Sequence, residues 1–338
     1  MKRFLMPLAL ALCPVTVLAD GNDPVIDEIV TAHILPRFEA LAQQSATLAE
    51  AAQADCSPGS DPLRVAFLSA FDAWVSVSHL RFGPTEIEDR GFALAFWPDS
   101  RGKTPRALGK LIMDQDPIGL GVEDYADMSI AARGFYALEF LLFDEALSTA
   151  GGDAYRCRLL QTIAADTADM TSDIWDGWPG DYAERLLNPS IEGTYRSDEE
   201  VLQELLKATS TGLEFTAESR LGRPMGTFEK PRPTRAEAWR SGQSAHHVSL
   251  SLAVTRDLAV RLAGDDAELV SDLNGAFGRA QQQLADLDDP IFASVVQPQG
   301  RLKIEVVQQS INTARTIIQD RLGPKLGVAA GFNALDGD

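Results

Sequence analysis

The sequence predicts an all-α protein, and three observations carry that prediction. Apolar residues recur at three- and four-residue steps through almost every segment. Helix-start signals such as Asp23-Pro24, Asp61-Pro62 and Thr104-Pro105 stand directly before those runs. No segment shows the alternation of a half-buried strand.

Taken in order, Met1-Lys2-Arg3, the apolar run 4–18 and the small-residue exit Val17-Leu18-Ala19 form a secretory signal peptide, residues 1–19. Cleavage is expected after Ala19. Cys13 follows Leu12, where a lipoprotein signal needs a small residue, so a lipid anchor is not expected. No later stretch approaches the ~20 apolar residues of a membrane-spanning helix. In a Gram-negative cell the expected destination is the periplasm.

The chain carries a formal charge of -19, and loss of Lys2 and Arg3 leaves 28 basic against 49 acidic side chains, or -21. Such a surface repels nucleic acid and anionic membrane. Cys56 and Cys157 are the two cysteines left after processing, which invites a disulfide in an exported protein. Closing a loop of about 100 residues contributes at most ~4.7 kcal/mol in the chain-entropy model.

From Asp23-Pro24 a helix is expected past Leu48, kinked at Pro36. Asp61-Pro62 opens a second, with Leu63, Phe67, Ala70, Trp74 and Val77 as its buried stripe. Gly83-Pro84 stops it, a short helix leads to the break Trp97-Pro98-Asp99, and Thr104-Pro105 starts another. An apolar helix is expected over 124–144, then a long one through Tyr155, Leu159 and Ile174. The turn-rich 178–196 is the expected boundary between an N-terminal half, 20–180, and a C-terminal half, 195–338.

In the second half the box Ser197-Asp198-Glu199-Glu200 opens a helix expected to stop at Gly222, and Thr234-Arg235-Ala236-Glu237 is read as a second box before a long helix to Gly264. Two further helices are expected over 266–287 and 301–322. An internal echo, Asp72-Ala73-Trp74-Val75-Ser76 against Glu237-Ala238-Trp239-Arg240-Ser241, supports two related halves.

The run Gly134-Phe135-Tyr136-Ala137-Leu138-Glu139 puts a carboxylate where core residues belong. A charge buried in apolar surroundings must be neutralised, paired or metal-bound, so Glu139 marks an ion pair or a site. Tyr136, three residues earlier, shares its face. Arg133 and Arg240 are candidate partners, and Arg240, Ser241 and Ser244 are read as one face of the second long helix.

Gly134, Tyr136 and Glu139 resemble the GxHxxE signature of the imelysin-like family, with tyrosine at the histidine position. Asp72-Ala73-Trp74, Phe82-Gly83-Pro84, Phe96-Trp97-Pro98-Asp99 and the ending from Leu326 through Gly331-Phe332-Asn333 to Asp338 extend the resemblance over nearly the whole mature chain. The resemblance implies two similar helical-bundle domains around a cleft lined by the motif, and a tie to iron supply. It also implies a metallopeptidase label, but the missing histidine removes a ligand that such activity needs.

Gly134, Tyr136, Glu139, Arg240 and Ser241 are therefore the candidate binding residues. Glu139, Tyr136, His79 and Glu86 are the candidate ligands of a metal, iron first. His79 enters because Asp72, Ser76 and His79 form a polar stripe at steps of four and three. No HExxH, nucleophile elbow or phosphate-cradling loop is present in the sequence, and no catalytic residue is assigned. Three readings stay open: a periplasmic metal-binding accessory of iron uptake, acting with other uptake components; a metal-dependent peptidase; and a helical module whose cleft holds a small ligand without metal.

Overall fold

The structure is a computed structural model in which residues 23–328 are described. The signal peptide, with Cys13 and the cleavage site, and the 331–338 ending lie outside the described residues.

Every regular element among the described residues is helical. Helix α1 (Pro24–Ile29) is capped by Asp23, whose Oδ1 accepts from Val25 N at 2.8 Å. It runs through a wide turn, Val30–Ile34, into α2 (Leu35–Ala54). The widening falls just before Pro36, which cannot donate to the helix ladder and crowds the preceding turn, so the expected kink is a π turn. Helix α3 (Asp61–Val77) buries the predicted Leu63, Phe67, Ala70, Trp74 and Val77.

Short helices α4 (Arg90–Leu94), α5 (Lys103–Asp114) and α6 (Val122–Tyr125) lead to α7 (Gly134–Phe143) and the long α8 (Asp153–Asp176). Beyond α9 (Ala183–Leu187) come α10 (Asp198–Glu214), α11 (Gly222–Met225), α12 (Ser244–Ala263), α13 (Ala267–Ala285), α14 (Pro298–Ile317) and α15 (Gly323–Lys325). Helices α2, α3, α7 and α8 pack together, and α10, α12, α13 and α14 form a second group. The groups meet where α3 and α1 lie on α12, under one continuous apolar core. Cys56 and Cys157 are bonded, with Cα atoms 5.2 Å apart, tying the loop after α2 to α8.

Three elements depart from the sequence reading. The helix expected over 124–144 begins only at Gly134, because that residue has φ +71° and the carbonyls of Ala93 and Leu94 fill the space a Cβ would need. A left-handed backbone packed this closely on another chain segment requires glycine. The helix expected to stop at Gly222 continues through the wide turn Phe215–Leu221 to Met225 and ends at Gly226, φ +52°.

The helix expected from Thr234 begins at Ser244 instead. Glu237 is not a helix cap: it is drawn into the core by Arg220, and Ala238 takes φ +48°. Arg240 and Ser241 consequently lie in a loop rather than on a helix face. The internal echo thus matches helix α3 to a loop and does not mark equivalent elements.

Candidate functional site

Glu139 is 2 % exposed. Its Oε1 accepts from Ser241 N at 3.0 Å and Ser241 Oγ at 2.9 Å. Burial pushes its carboxyl above the usual range, a push that the Ser241 donors and the nearby Arg240 charge offset only in part. Neither expected arginine is its direct partner. Arg133 forms a two-pronged pair with Asp166, at 2.9 and 2.6 Å. Arg240 bonds Asp144 at 2.8 Å and lies over the Phe140 ring, 3.8 Å from its centre.

Tyr136 turns the other way. Its hydroxyl donates to Glu237 Oε1 at 2.6 Å, and burial followed by the Glu237 charge raises the phenol far above its ordinary value. Glu237 is 3 % exposed and takes Arg220 Nε at 2.6 Å on its other oxygen. Burial opposes its ionisation, but the Arg220 guanidinium, with His247 beside it, overcomes this and holds the carboxyl well below the usual range. Arg220 completes its fork on Ser251 and Thr216, at 3.2 and 3.3 Å. His247 lies 3.5 Å from Glu237 and 3.6 Å from Asp72, ion-pair rather than hydrogen-bond spacing. Burial works against its charge, yet the two carboxylates raise its pKa.

His79 belongs to a different chain of contacts. His33 Nδ1 sits 2.8 Å from Asp257, so it carries the proton that carboxylate accepts. His33 Nε2 is then an acceptor, and His79 Nε2, 3.1 Å away, must donate to it. That nitrogen of His79 is spent. Glu86 is tied to Arg81 at 2.6 and 3.2 Å.

Two cavities meet at Tyr136 and Trp97, which line both. One, of about 170 Å³, faces Glu139, Arg240, Arg223 and Arg235. The other, of about 300 Å³, faces His79, Arg220, Trp74 and Phe215. The structure therefore sets Tyr136, Glu139 and Arg240 on the wall of the smaller cavity with Ser241 bonded to Glu139, packs Gly134 against the α4 backbone, places His79 on the far side of Tyr136, and leaves Glu86 out of both cavities. Among the described residues, no group of three or more His, Cys, Asp or Glu side chains is arranged to hold a metal ion. The donors do not fit bare iron: the phenol is held protonated, the Glu237 and Glu86 carboxylates face arginines, and His79 faces His33.

Sequence reasoning missed Arg220, Glu237, Arg223 and Arg235. Arg220 left a signal, since it follows Leu213 and Ala217 on the buried stripe of its helix. A lone arginine on an apolar stripe asks for a buried acid. Nothing in the sequence pairs it with Glu237 across the intervening Gly and Pro loop.

Comparison with known proteins bears out the all-α fold. Iron-regulated protein A of Synechococcus elongatus is 20% identical over 327 residues, covering 90% of this chain and 86% of that protein. The crystal structure of an imelysin-like protein from Psychrobacter arcticum superposes with TM-score 0.77 at 20% identity, covering 93% of this chain and all of that one. A structure named for an iron-regulated protein A precursor from Parabacteroides distasonis gives TM-score 0.69 at 14% identity, over 88% of this chain and 94% of the other. The family model described as imelysin, peptidase M75, matches residues 34–318, and the chain belongs to that family.

Proposed function

We propose that this chain is an exported ligand-binding protein of the periplasm that serves iron supply and does not hydrolyse peptides. Its ligand enters the cavity faced by Tyr136, Glu139 and Arg240, with Gly134 and Ser241 holding those residues in place. The observation that carries this reading is the fate of the motif's polar groups: Glu139 accepts from Ser241 and Tyr136 donates to Glu237, beside a cavity that remains open. A hydrolytic metal needs several protein ligands and one position left for water. Among the described residues no such set converges. The link to iron is supported by the names of the Synechococcus relative and of the Parabacteroides structure. Export is supported by the signal-peptide pattern in residues 1–19.

The test uses the purified mature chain. Ferric citrate should raise its melting temperature without the visible band of phenolate-bound iron, and unfolded protein substrates should survive incubation with added zinc or iron. Metal-dependent cleavage lost in Glu139→Gln would overturn the reading.

A further inference from the structure

We infer that the smaller cavity is an anion site for a small carboxylate, received by Arg223 and Arg235. This rests on the reading above that the cavity is the ligand site, and it names the ligand's chemistry.

The first observation is the charge of the wall. On a chain of net charge -19, three arginines converge on a cavity of about 170 Å³. Arg240 is satisfied by Asp144. Asp99 caps the start of α5, accepting from Thr104 N at 2.8 Å. Glu139 is occupied by Ser241, and burial raises its carboxyl above the usual range.

Arg223 and Arg235 remain. Among the described residues neither meets a carboxylate at ion-pair distance. Arg223 Nε is buried without a hydrogen-bond partner, as is Trp239 Nε1 in the same wall. Burial, and after it the charge of Arg235, lowers the pKa of Arg223. Two guanidiniums that repel each other on one cavity wall, Arg223 half-buried and Arg235 exposed, with no carboxylate at ion-pair distance of either, form an incomplete ion pair.

The second observation is the shape. Phe96, Trp97, Phe140 and Trp239 line the cavity, Arg240 lies over the Phe140 and Trp239 rings, and Arg223 lies over the Trp97 ring, 5.8 Å from its centre. A guanidinium fork receives a planar carboxylate through two parallel bonds, and the aromatic lining favours an organic acid over an inorganic anion. The volume lies below the ~300 Å³ at which ordinary small-molecule pockets begin, so the ligand is a compact acid. Iron reaching this wall would come as an anionic carboxylate chelate, because two uncompensated cations repel the bare ion.

The decisive experiment is isothermal titration of the mature chain with sodium citrate, sodium benzoate, sodium phosphate and sodium chloride at matched ionic strength. Wild type is compared with Arg223→Gln, Arg235→Gln and the remote surface control Arg185→Gln, all checked for fold by circular dichroism. Citrate or benzoate should bind, phosphate and chloride more weakly, and each cavity variant should lose about tenfold in affinity while the control does not, tenfold corresponding to ~1.4 kcal/mol. Phosphate binding tighter than both carboxylates, carboxylate binding unchanged in both cavity variants, or no carboxylate binding would overturn the inference. Ferric nitrate stabilising a chain that ignores carboxylates would sink the anion site and leave the ligand-binding function standing. Metal-dependent peptide cleavage would sink that function itself.

Discussion

Arg220 and Arg223 lie three residues apart, each over an aromatic ring, on opposite sides of the partition made by Tyr136 and Trp97. Arg220 is 2 % exposed, and its fork is filled by Glu237, Ser251 and Thr216. Arg223 is half-buried, with an orphaned Nε and a second arginine, Arg235, whose charge adds to burial in lowering its pKa. The difference shows what burial demands. A guanidinium sealed in the core must find its counter-charge within the chain, since an uncompensated buried ion costs several kcal/mol. One that faces a cavity can wait for a ligand to supply it.

The largest expected effect lies on the sealed side. Glu237→Ala strands Arg220 and should destabilise the fold by ~3–5 kcal/mol in urea unfolding. Next comes the disulfide, which belongs to neither side: its reduction should remove up to ~4.7 kcal/mol of stability and leave citrate affinity unchanged.

Acid sensitivity follows from the histidine chain behind the sealed cavity. Burial lowers His33 from 6.5 to about 4, against the pull of Asp257. The folded state therefore binds its proton less readily than the unfolded chain. Stability is present above pH 6.5 and is lost as pH falls toward 4, by roughly 3 kcal/mol at 1.36 kcal/mol per pKa unit. His33→Gln should flatten that acid limb in a series of melting curves.

Glu139 runs in the opposite sense, because its folded pKa is raised. Its contribution is full below the ordinary carboxylate range and fades as pH rises through the raised value. Glu139→Gln should remove this slope while keeping the shape, and Ser241→Ala should cost ~1 kcal/mol through lost hydrogen bonding.

Much of the scaffold was legible in sequence because it follows local rules. The α3 stripe at Leu63, Phe67, Ala70, Trp74 and Val77, the Asp23 cap and the disturbance before Pro36 all obey helical periodicity or proline geometry. The two-cysteine count likewise pointed to the bond that forms. The breaks were not legible where tertiary contacts overrule local pattern: the expected helix begins only at Gly134 because α4 backbone presses on that residue, and Thr234-Arg235-Ala236-Glu237 fails as a cap because Arg220 claims the glutamate.

At the site, Tyr136, Glu139, Arg240 and Ser241 were visible as a buried carboxylate with polar neighbours. Their pairing was not, since it depends on which of several arginines and acids the loop 226–243 brings together.

The smallest expected effect is on the open side, where Arg223→Gln should change stability by less than ~0.5 kcal/mol. The most direct test sets Arg220→Gln beside Arg223→Gln, each melted with and without citrate. Arg220→Gln should lower the melting temperature of the free protein by several degrees, while Arg223→Gln should match wild type without citrate and lose most of the shift that citrate gives wild type. If Arg223→Gln instead melts as low as Arg220→Gln, or keeps the full citrate shift, the open wall is structural and the contrast between the two arginines is wrong.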